Sequence, residues 1–307
     1  MGPIFALISI ICNSTYAAFG KVLLAYLPPI GLTALAQLIS VCALFMVFGV
    51  LPECHKFLKF SRKDQAIIGL IAVLTAVIAP ILFYYGLNET SAINAVLLTR
   101  VEPLVMGLLS IFWLREKNTP DQTFGGILIG LGTIWIITKG FSEGLIFQAS
   151  DTLIVLSAFF WALANTIFKR HTNHLPVEVV VIARNMIGVI ILTLIVPIIF
   201  SNAQITPHKA FDTTFWYYMG LFSIVTIILT QSLWYKALKM IPARKASTIG
   251  LALPFFGLLW IFLILEETFT EYHIIGGVLI IGGLILSILK EQEHPHHHRH
   301  LKAKHWY

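Results

Sequence analysis

Ten apolar runs, each about as long as a bilayer is thick, set the terms for anything this chain can fold into. They cover residues 4–26, 30–51, 65–87, 91–114, 120–139, 151–169, 177–200, 214–236, 246–265 and 272–289. A helix crossing the hydrocarbon core needs about 20 mostly apolar residues. A barrel strand needs about half that and alternates apolar with polar at every second position, which these runs do not. The runs therefore predict ten transmembrane helices. Composition agrees: 57% of residues are apolar and only 12% are charged, against about 25% charged in soluble domains. That excludes a soluble enzyme, a disordered chain and a nucleic-acid binder with a basic groove. The first run has no Lys or Arg before Lys21 and carries Asn13 in its middle, so it reads as a span, not as a secretory leader. The cysteines Cys12, Cys42 and Cys54 have no CxxC spacing and suggest neither a disulfide framework nor a zinc site; they read as small buried residues.

Orientation follows from where the basic residues fall. With the N-terminus in the cytoplasm, sixteen of the 21 Lys and Arg lie in cytoplasmic segments. Three, Lys21, Lys139 and Lys209, lie on the other side, and Arg100 and Arg184 lie inside spans. Positive loops stay inside, so both termini are expected in the cytoplasm. The net charge of +6 then reflects topology and needs no anionic partner.

The chain also repeats itself. Residues 83–139 match 234–290 at a constant offset of 151: Tyr84 falls on Tyr235, Pro103 on Pro254, Glu116 on Glu267, Gly125-Gly126 on Gly276-Gly277 and Gly132 on Gly283. Lys21 falls on Lys169 at offset 148, and Gln37 on Arg184 at offset 147. The unit is five helices long. Five is odd, so the second copy inserts upside down. Inverted repeats are the architecture of many secondary transporters, with the substrate site near mid-bilayer where the halves meet.

Three groups of residues stand out against the apolar background. An ionised side chain at mid-bilayer costs about 2.5–3.5 kcal/mol on insertion scales, so it must face protein or water. Glu102 is the sole acid at the centre of a span, with Arg100 two residues before it and Pro103 after it. Pro103 donates no backbone hydrogen bond and clashes with the carbonyl of Thr99, so this helix is expected to be irregular there. Glu102 and Arg100 are the candidates for coupling, with protons as the ion, or for gating; the alternative is a buried charge cluster that locks the halves together. Arg184 reads either as a clamp for a substrate carboxylate or as an Arg that snorkels or pairs with Glu102. With Arg184, the substrate-cavity candidates are Gln37, Asn13, Tyr16, Trp161, Asn165, Gln231, Trp234 and Tyr84. Amides in a bundle often only join helices, and aromatics near span ends often anchor the membrane interface. Pro80, Pro103 and Pro254 are the expected helix kinks. Gly125, Gly126, Gly130 and Gly132, with Gly276, Gly277, Gly282 and Gly283, suit close helix packing, and Gly126 and Gly130 are expected to form a GxxxG face.

The stretch Tyr85-Gly-Leu-Asn-Glu-Thr-Ser-Ala92, then Arg100-Val-Glu-Pro103, Arg115-Glu116 and Gly125-Gly126, resembles the EamA repeat of the drug/metabolite transporter superfamily. The second half carries Tyr235-Lys-Ala-Leu-Lys239, Pro254, Glu266-Glu267 and Gly276-Gly277 in the same order. It departs from the first half in having Leu253 opposite Glu102. The resemblance spans about residues 4–290. It implies an all-α integral membrane protein of ten helices in two inverted five-helix EamA-like repeats, residues 1–140 and 150–290. It implies a secondary transporter in the cell (inner or plasma) membrane, often an exporter of amino acids, other metabolites or toxic organic compounds. A flippase of lipid-linked substrates and a membrane scaffold without transport are the alternatives. The partners expected are a small-molecule substrate and the lipid bilayer, with no nucleic acid, the protein being a monomer or homodimer. No enzyme motif, no cofactor and no metal site is indicated. Residues 291–307 hold His296-His297-His298 and read as a cytoplasmic tail without fixed structure.

Overall fold

A backbone in hydrocarbon must satisfy its own polar groups, and a helix does so within one segment. In the computed structural model, which describes residues 1–48, 55–109, 113, 120–141, 148–172, 174–200, 212–240, 249–250 and 252–289, the apolar runs are helical. The helices are α1 (Gly2–Ser14), α2 (Tyr16–Leu24), α3 (Pro29–Phe48), α4 (Arg62–Ala72), α5 (Ala79–Glu89), α6 (Ala92–Leu98), α7 (Val101–Leu109) and α8 (Pro120–Ile137). The second half supplies α9 (Ala149–His171), α10 (Val177–Phe200), α11 (Thr213–Leu221), α12 (Thr230–Met240), α13 (Ala252–Leu265) and α14 (Glu271–Leu289). Among the described residues, six stretches are long and apolar enough to cross a membrane: Gly2–Leu24, Pro29–Met46, Arg62–Glu89, Ala149–His171, Val177–Ile195 and Thr213–Ala237. Three shorter apolar helices, Thr123–Ile137, Ala252–Leu265 and Glu271–Gly283, accompany them.

Several spans are interrupted, and each interruption has a local cause. The first span breaks at Thr15, whose hydroxyl bonds the Cys12 carbonyl at 2.7 Å in place of a regular helical donor. The fourth run breaks at Thr99–Arg100, between α6 and α7 and just before Pro103. There the Arg100 amide reaches back only three residues, to the Leu97 carbonyl at 3.1 Å. A π segment, Val73–Ile78, joins α4 to α5, and Pro80 follows it in the first turn of α5. Proline lacks the N–H that the Ala76 carbonyl would otherwise receive, so a wider turn is the local solution. A second π segment, Phe222–Leu229, joins α11 to α12. It includes the positions that match Val73–Ile78 at the 151-residue offset, but Gln231 stands where the first half has Pro80. Here hydroxyls from the first half hold the segment. Ser9 donates to the Thr230 carbonyl at 2.8 Å, Ser40 to the Ser223 carbonyl at 3.2 Å, and Thr15 and Thr226 share a 2.6 Å bond. Pro254 lies in the first turn of α13, a place where its missing donor leaves no helical bond unmade.

The core is common to both halves. Phe19, Leu23, Phe83, Tyr84 and Ile93 are buried in one cluster with Phe215, Phe222, Ile261 and Ile280. The packing obeys an exchange of halves: α1 lies on α12 as α9 lies on α5, and α1 on α13 as α9 on α7. Helices α8 and α14 pack along each other over most of their length. Glycines line this contact on both helices. A Cβ on Gly132 would stand 2.7 Å from the Gly276 carbonyl, and one on Gly283 would stand 2.5 Å from the Gly125 carbonyl. Since 132 meets 276 while 125 meets 283, the two helices run antiparallel. The expected Gly126–Gly130 face does not make this seam: nothing stands within 4 Å of a Cβ on Gly130. Seven residues separate Gly125 from Gly132, two turns, so they share one stripe of α8.

The outer surface of the bundle is apolar. Ile4, Leu131, Leu194, Phe255, Phe262 and Val278 are each more than half exposed. A water-soluble helix would turn those positions inward, so lipid is the solvent that suits them. Cys12 is buried as expected, but Cys42 points outward, and Cys54 lies outside the described residues.

Candidate functional site

Where the halves meet, Tyr16 opens α2 directly after the break at Thr15. Its ring lies 5.1 Å from Phe83, 5.5 Å from Tyr84 in a stacked arrangement, 5.8 Å from Trp161 and 5.5 Å from Phe222. These rings come from α5, α9 and the second π segment. The Tyr84 hydroxyl is buried there, beside Tyr16. Trp161 and Tyr16 are partly exposed, while Tyr85 turns outward at 43% exposure and does not join them.

A second, polar group lies between α3, α10 and α12. Arg184, on α10, is 4% exposed. Its Nη2 donates to Asn185 Oδ1 at 3.1 Å and its Nη1 to the Tyr235 hydroxyl at 3.5 Å. Asn185 in turn donates to Gln231 Oε1 at 3.3 Å. Gln37, the position matching Arg184 in the first half, is also 4% exposed, and its Oε1 has no partner. A small recess opens one turn nearer the Val177 end of α10, lined by Leu44, Val181, Ile182 and Ser232, with Glu178 and Lys236 at its mouth. Those two approach to 3.9 Å. Trp234 packs into the apolar cluster of Leu44, Val177, Val181, Ile182 and Tyr235 beside this recess.

Glu102 is engaged elsewhere. Its Oε1 accepts from Asn165 Nδ2 at 2.8 Å, a bond from α7 to α9 and so between the halves. It ion-pairs with neither Arg100 nor Arg184 among the described residues. Arg100 Nη2 donates to the Thr99 hydroxyl at 3.1 Å, and its Nε is buried without a partner. Arg184, at 4% exposure, does not snorkel to the surface either, so both alternatives to a clamp that the sequence left open are absent from this structure. Asn13 is partly buried and bonds no described side chain. Of the cavity candidates, the structure thus joins Arg184 to Gln231 through Asn185, and Tyr16 to Tyr84 and Trp161. It places Asn165 with Glu102, and Trp234 beside the Arg184 group in the cluster that holds Tyr235, while Asn13 bonds no described side chain.

A polar network that sequence reasoning missed lies at the end of the bundle holding the α5–α6 and α13–α14 connections. Lys21 Nζ donates to the carbonyls of Leu87 and Thr90 at 2.6 and 2.7 Å, closing the C-terminus of α5. Cations suit that end of a helix. The Glu267 carboxylate accepts the Ala92 and Ile93 amides at 2.9 and 3.1 Å, capping α6 from the other half. Thr90 donates to Asp151 at 2.5 Å, and Asn94 Nδ2 donates to the Thr90 hydroxyl and to Asp151. Asn94 Oδ1 lies 2.9 Å from His273 Nε2. His273 Nδ1 accepts the Thr270 amide at 3.1 Å, so the imidazole carries its proton on Nε2. The available signal was Ser91, which accepts the Asn94 amide at 3.0 Å as the cap of α6. Its partners come from three distant connections and share no sequence pattern. Among the described residues no cluster of three or more His, Cys, Asp or Glu is placed to hold a metal. Arg115-Glu116 and the His-rich tail lie outside the described residues.

An apolar-surfaced helical bundle whose polar residues are gathered where two like halves meet is the build of a membrane transporter. The family model of the EamA-like transporters matches twice, over residues 1–138 and 148–289, and the chain belongs to that family. It is 25% identical over 259 residues to an uncharacterized transporter of Synechocystis, covering 81% of this chain and 74% of that protein. It is 27% identical over 303 residues to an uncharacterized transporter of Methanothermobacter thermautotrophicus, covering 93% and 87%. A protein of known crystal structure superposes with a TM-score of 0.68 over 95% of this chain and 98% of its own, at 19% identity, and shares the fold.

Proposed function

We propose that this membrane transporter is a secondary carrier that exports small metabolites such as amino acids, or toxic organic compounds, by alternating access between two inverted repeats of five helices each. The observation that carries this reading is the glycine seam. Gly132 lies against Gly276 and Gly283 against Gly125, two contacts that exchange with each other at the 151-residue offset, and the two helices run antiparallel. Two like units related that way are upside down with respect to each other, the relation that lets one site open first to one side and then to the other. The exchange-symmetric packing and the paired π segments support it. Widened turns of this kind recur at functional sites.

Alternating access also needs a closed end. The Glu267 cap on α6 and the Thr90–Asp151–Asn94–His273 contacts tie the two halves together at one end, with Lys21 closing α5 beside them, and the charge distribution is the ground for placing that end outside. Glu102 is the coupling or gating group in this scheme, with protons as the coupling ion, because its bond to Asn165 crosses the halves and must break if they part. Purified protein in liposomes should take up labelled members of an amino-acid and metabolite panel, with and without a pH gradient. No flux above empty liposomes for any of them would overturn the reading.

A further inference from the structure

The geometry points to Arg184 as the binding site for the oxyanion group of a small organic acid, entering through the recess between α3, α10 and α12; this deepens the transporter reading and rests on it. The guanidinium is 4% exposed and sits about 10 Å along α10 from its start. Both of its partners, Asn185 Oδ1 and the Tyr235 hydroxyl, are neutral, and no described carboxylate ion-pairs with it. A buried charge is tolerated when it is paired and hydrogen-bonded, and costs stability when it is not. A purely structural Arg would therefore carry a fixed acid beside it. Arg184 has instead three neutral contacts, from Nε and Nη2 to Asn185 Oδ1 at 3.4 and 3.1 Å and from Nη1 to the Tyr235 hydroxyl at 3.5 Å, and a carboxylate or phosphate that takes their place is held in a two-pronged, charge-assisted fork.

The recess itself is lined by Leu44, Val177, Glu178, Val181, Ile182, Ser232 and Lys236. Arg184, Asn185 and Gln231 do not line it; they follow directly along α10 and α12 from Ile182 and Ser232, so a ligand must part these side chains to reach the guanidinium. On α3, Gln37 lies two turns from Leu44 on the same face, and its Oε1 is buried without a donor. It therefore suits a ligand hydroxyl or N–H beyond the anion. The recess wall of Leu44, Val181 and Ile182 is aliphatic, which fits an uncharged apolar body. Lys236 stands at the mouth and draws an anion, while Glu178 beside it disfavours a dianion with two separated charges. The ligand class is thus a monoanionic organic acid with a short apolar body.

Thermal unfolding of the full-length protein in detergent, titrated with hexanoate, hexyl phosphate, 1-hexanol and hexylamine, tests this on the wild type, R184Q and R184K. The acids should raise the wild-type melting temperature with saturation, and the alcohol and the amine should not. Unliganded R184Q should melt no lower than the wild type, since an uncompensated buried charge is removed. Its apparent Kd for the acid should rise about tenfold or more, as expected for losing a charged hydrogen-bond partner. R184K keeps the charge and loses the fork, so it should bind the acids more weakly than the wild type. A melting temperature that falls in R184Q with the acid response intact would make Arg184 structural. Equal responses to hexanol and hexanoate would make the recess a site for apolar molecules only. If R184Q does not fold, undiminished acid binding by R184K overturns the fork. An Arg184-dependent stabilisation seen only on adding phosphatidylglycerol to phosphatidylcholine nanodiscs would give the site to a lipid headgroup and overturn the free acid. Acid binding without flux in liposomes would keep this site and remove the transporter reading; flux without acid binding would do the reverse.

Discussion

Single side chains divide here into those that the bilayer makes costly and those that the fold makes indispensable. Glu102, Arg100 and Arg184 belong to the first kind and are visible in the sequence, because charge in an apolar run has no other explanation. Asn94 belongs to the second. It is 4% exposed and bonds Thr90, Asp151 and His273 together, yet nothing in the sequence around it distinguishes it from any other polar residue near a helix start. Asn94→Leu should lower stability by roughly 2–3 kcal/mol, since it removes one of Asp151's two donors and strands the His273 N–H in a buried setting. Thermal unfolding in detergent measures it, with Asn88→Ala as the control: the Asn88 side chain is exposed and bonds its neighbour Glu89, while its carbonyl contact with Lys21 survives the substitution, so the loss should stay within about 0.5 kcal/mol. For Glu102, the substitution by Gln keeps the size and can still accept from Asn165. If Glu102 couples protons, Glu102→Gln should abolish uptake driven by a pH gradient and leave substrate exchange intact in liposomes. Loss of exchange together with folded yield would assign Glu102 to holding the halves together instead.

Helices meet according to which small residues face each other, and a linear motif does not settle that. Gly126 and Gly130 have the spacing of a packing face, but the seam runs through Gly125, Gly132, Gly276 and Gly283. The repeat offset picks out the same four residues, so the internal symmetry was the better guide. Gly132→Leu and Gly283→Leu should each reduce folded yield sharply and lower the melting temperature, because the new side chain meets the backbone of the facing helix. Gly130→Leu should have little effect. Equal damage from all three, read by size-exclusion profile, would remove the seam from its place in the fold. The two π segments show a different limit. Pro80 explains one from the sequence, while the other has no proline and depends on Ser9, Thr15 and Ser40 from other helices.

At the scale of the whole molecule, the connections separate into two ends. One gathers the segments near 88–92, 148–151 and 266–273; the other gathers those near 61–65 and 174–178, where His174 lies 3.3 Å from Asp64. Sixteen basic residues against three are the ground for proposing that the second end faces the cytoplasm. Reporter fusions in the loop from Glu53 to Lys63 and at the C-terminus should therefore read cytoplasmic, and a fusion between Phe141 and Ser150 should read external. The opposite pattern would reverse the assignment of the closed end.

The amino-acid sequence by itself determined that this chain lives in a bilayer as a set of helices, that it is built twice, and that a handful of charges sit where they cost most. Those follow from hydrophobic length, internal periodicity and the solvation of single groups, all of which are local or linear. Only the tertiary structure decided that Arg184 stands apart from Glu102, that Asn165 takes the carboxylate, and that Asn94 ties three connections together. A side chain's partner depends on helix rotation and on which helices are neighbours, and in lipid that is set by packing of small residues and by hydrogen bonds between segments far apart in sequence.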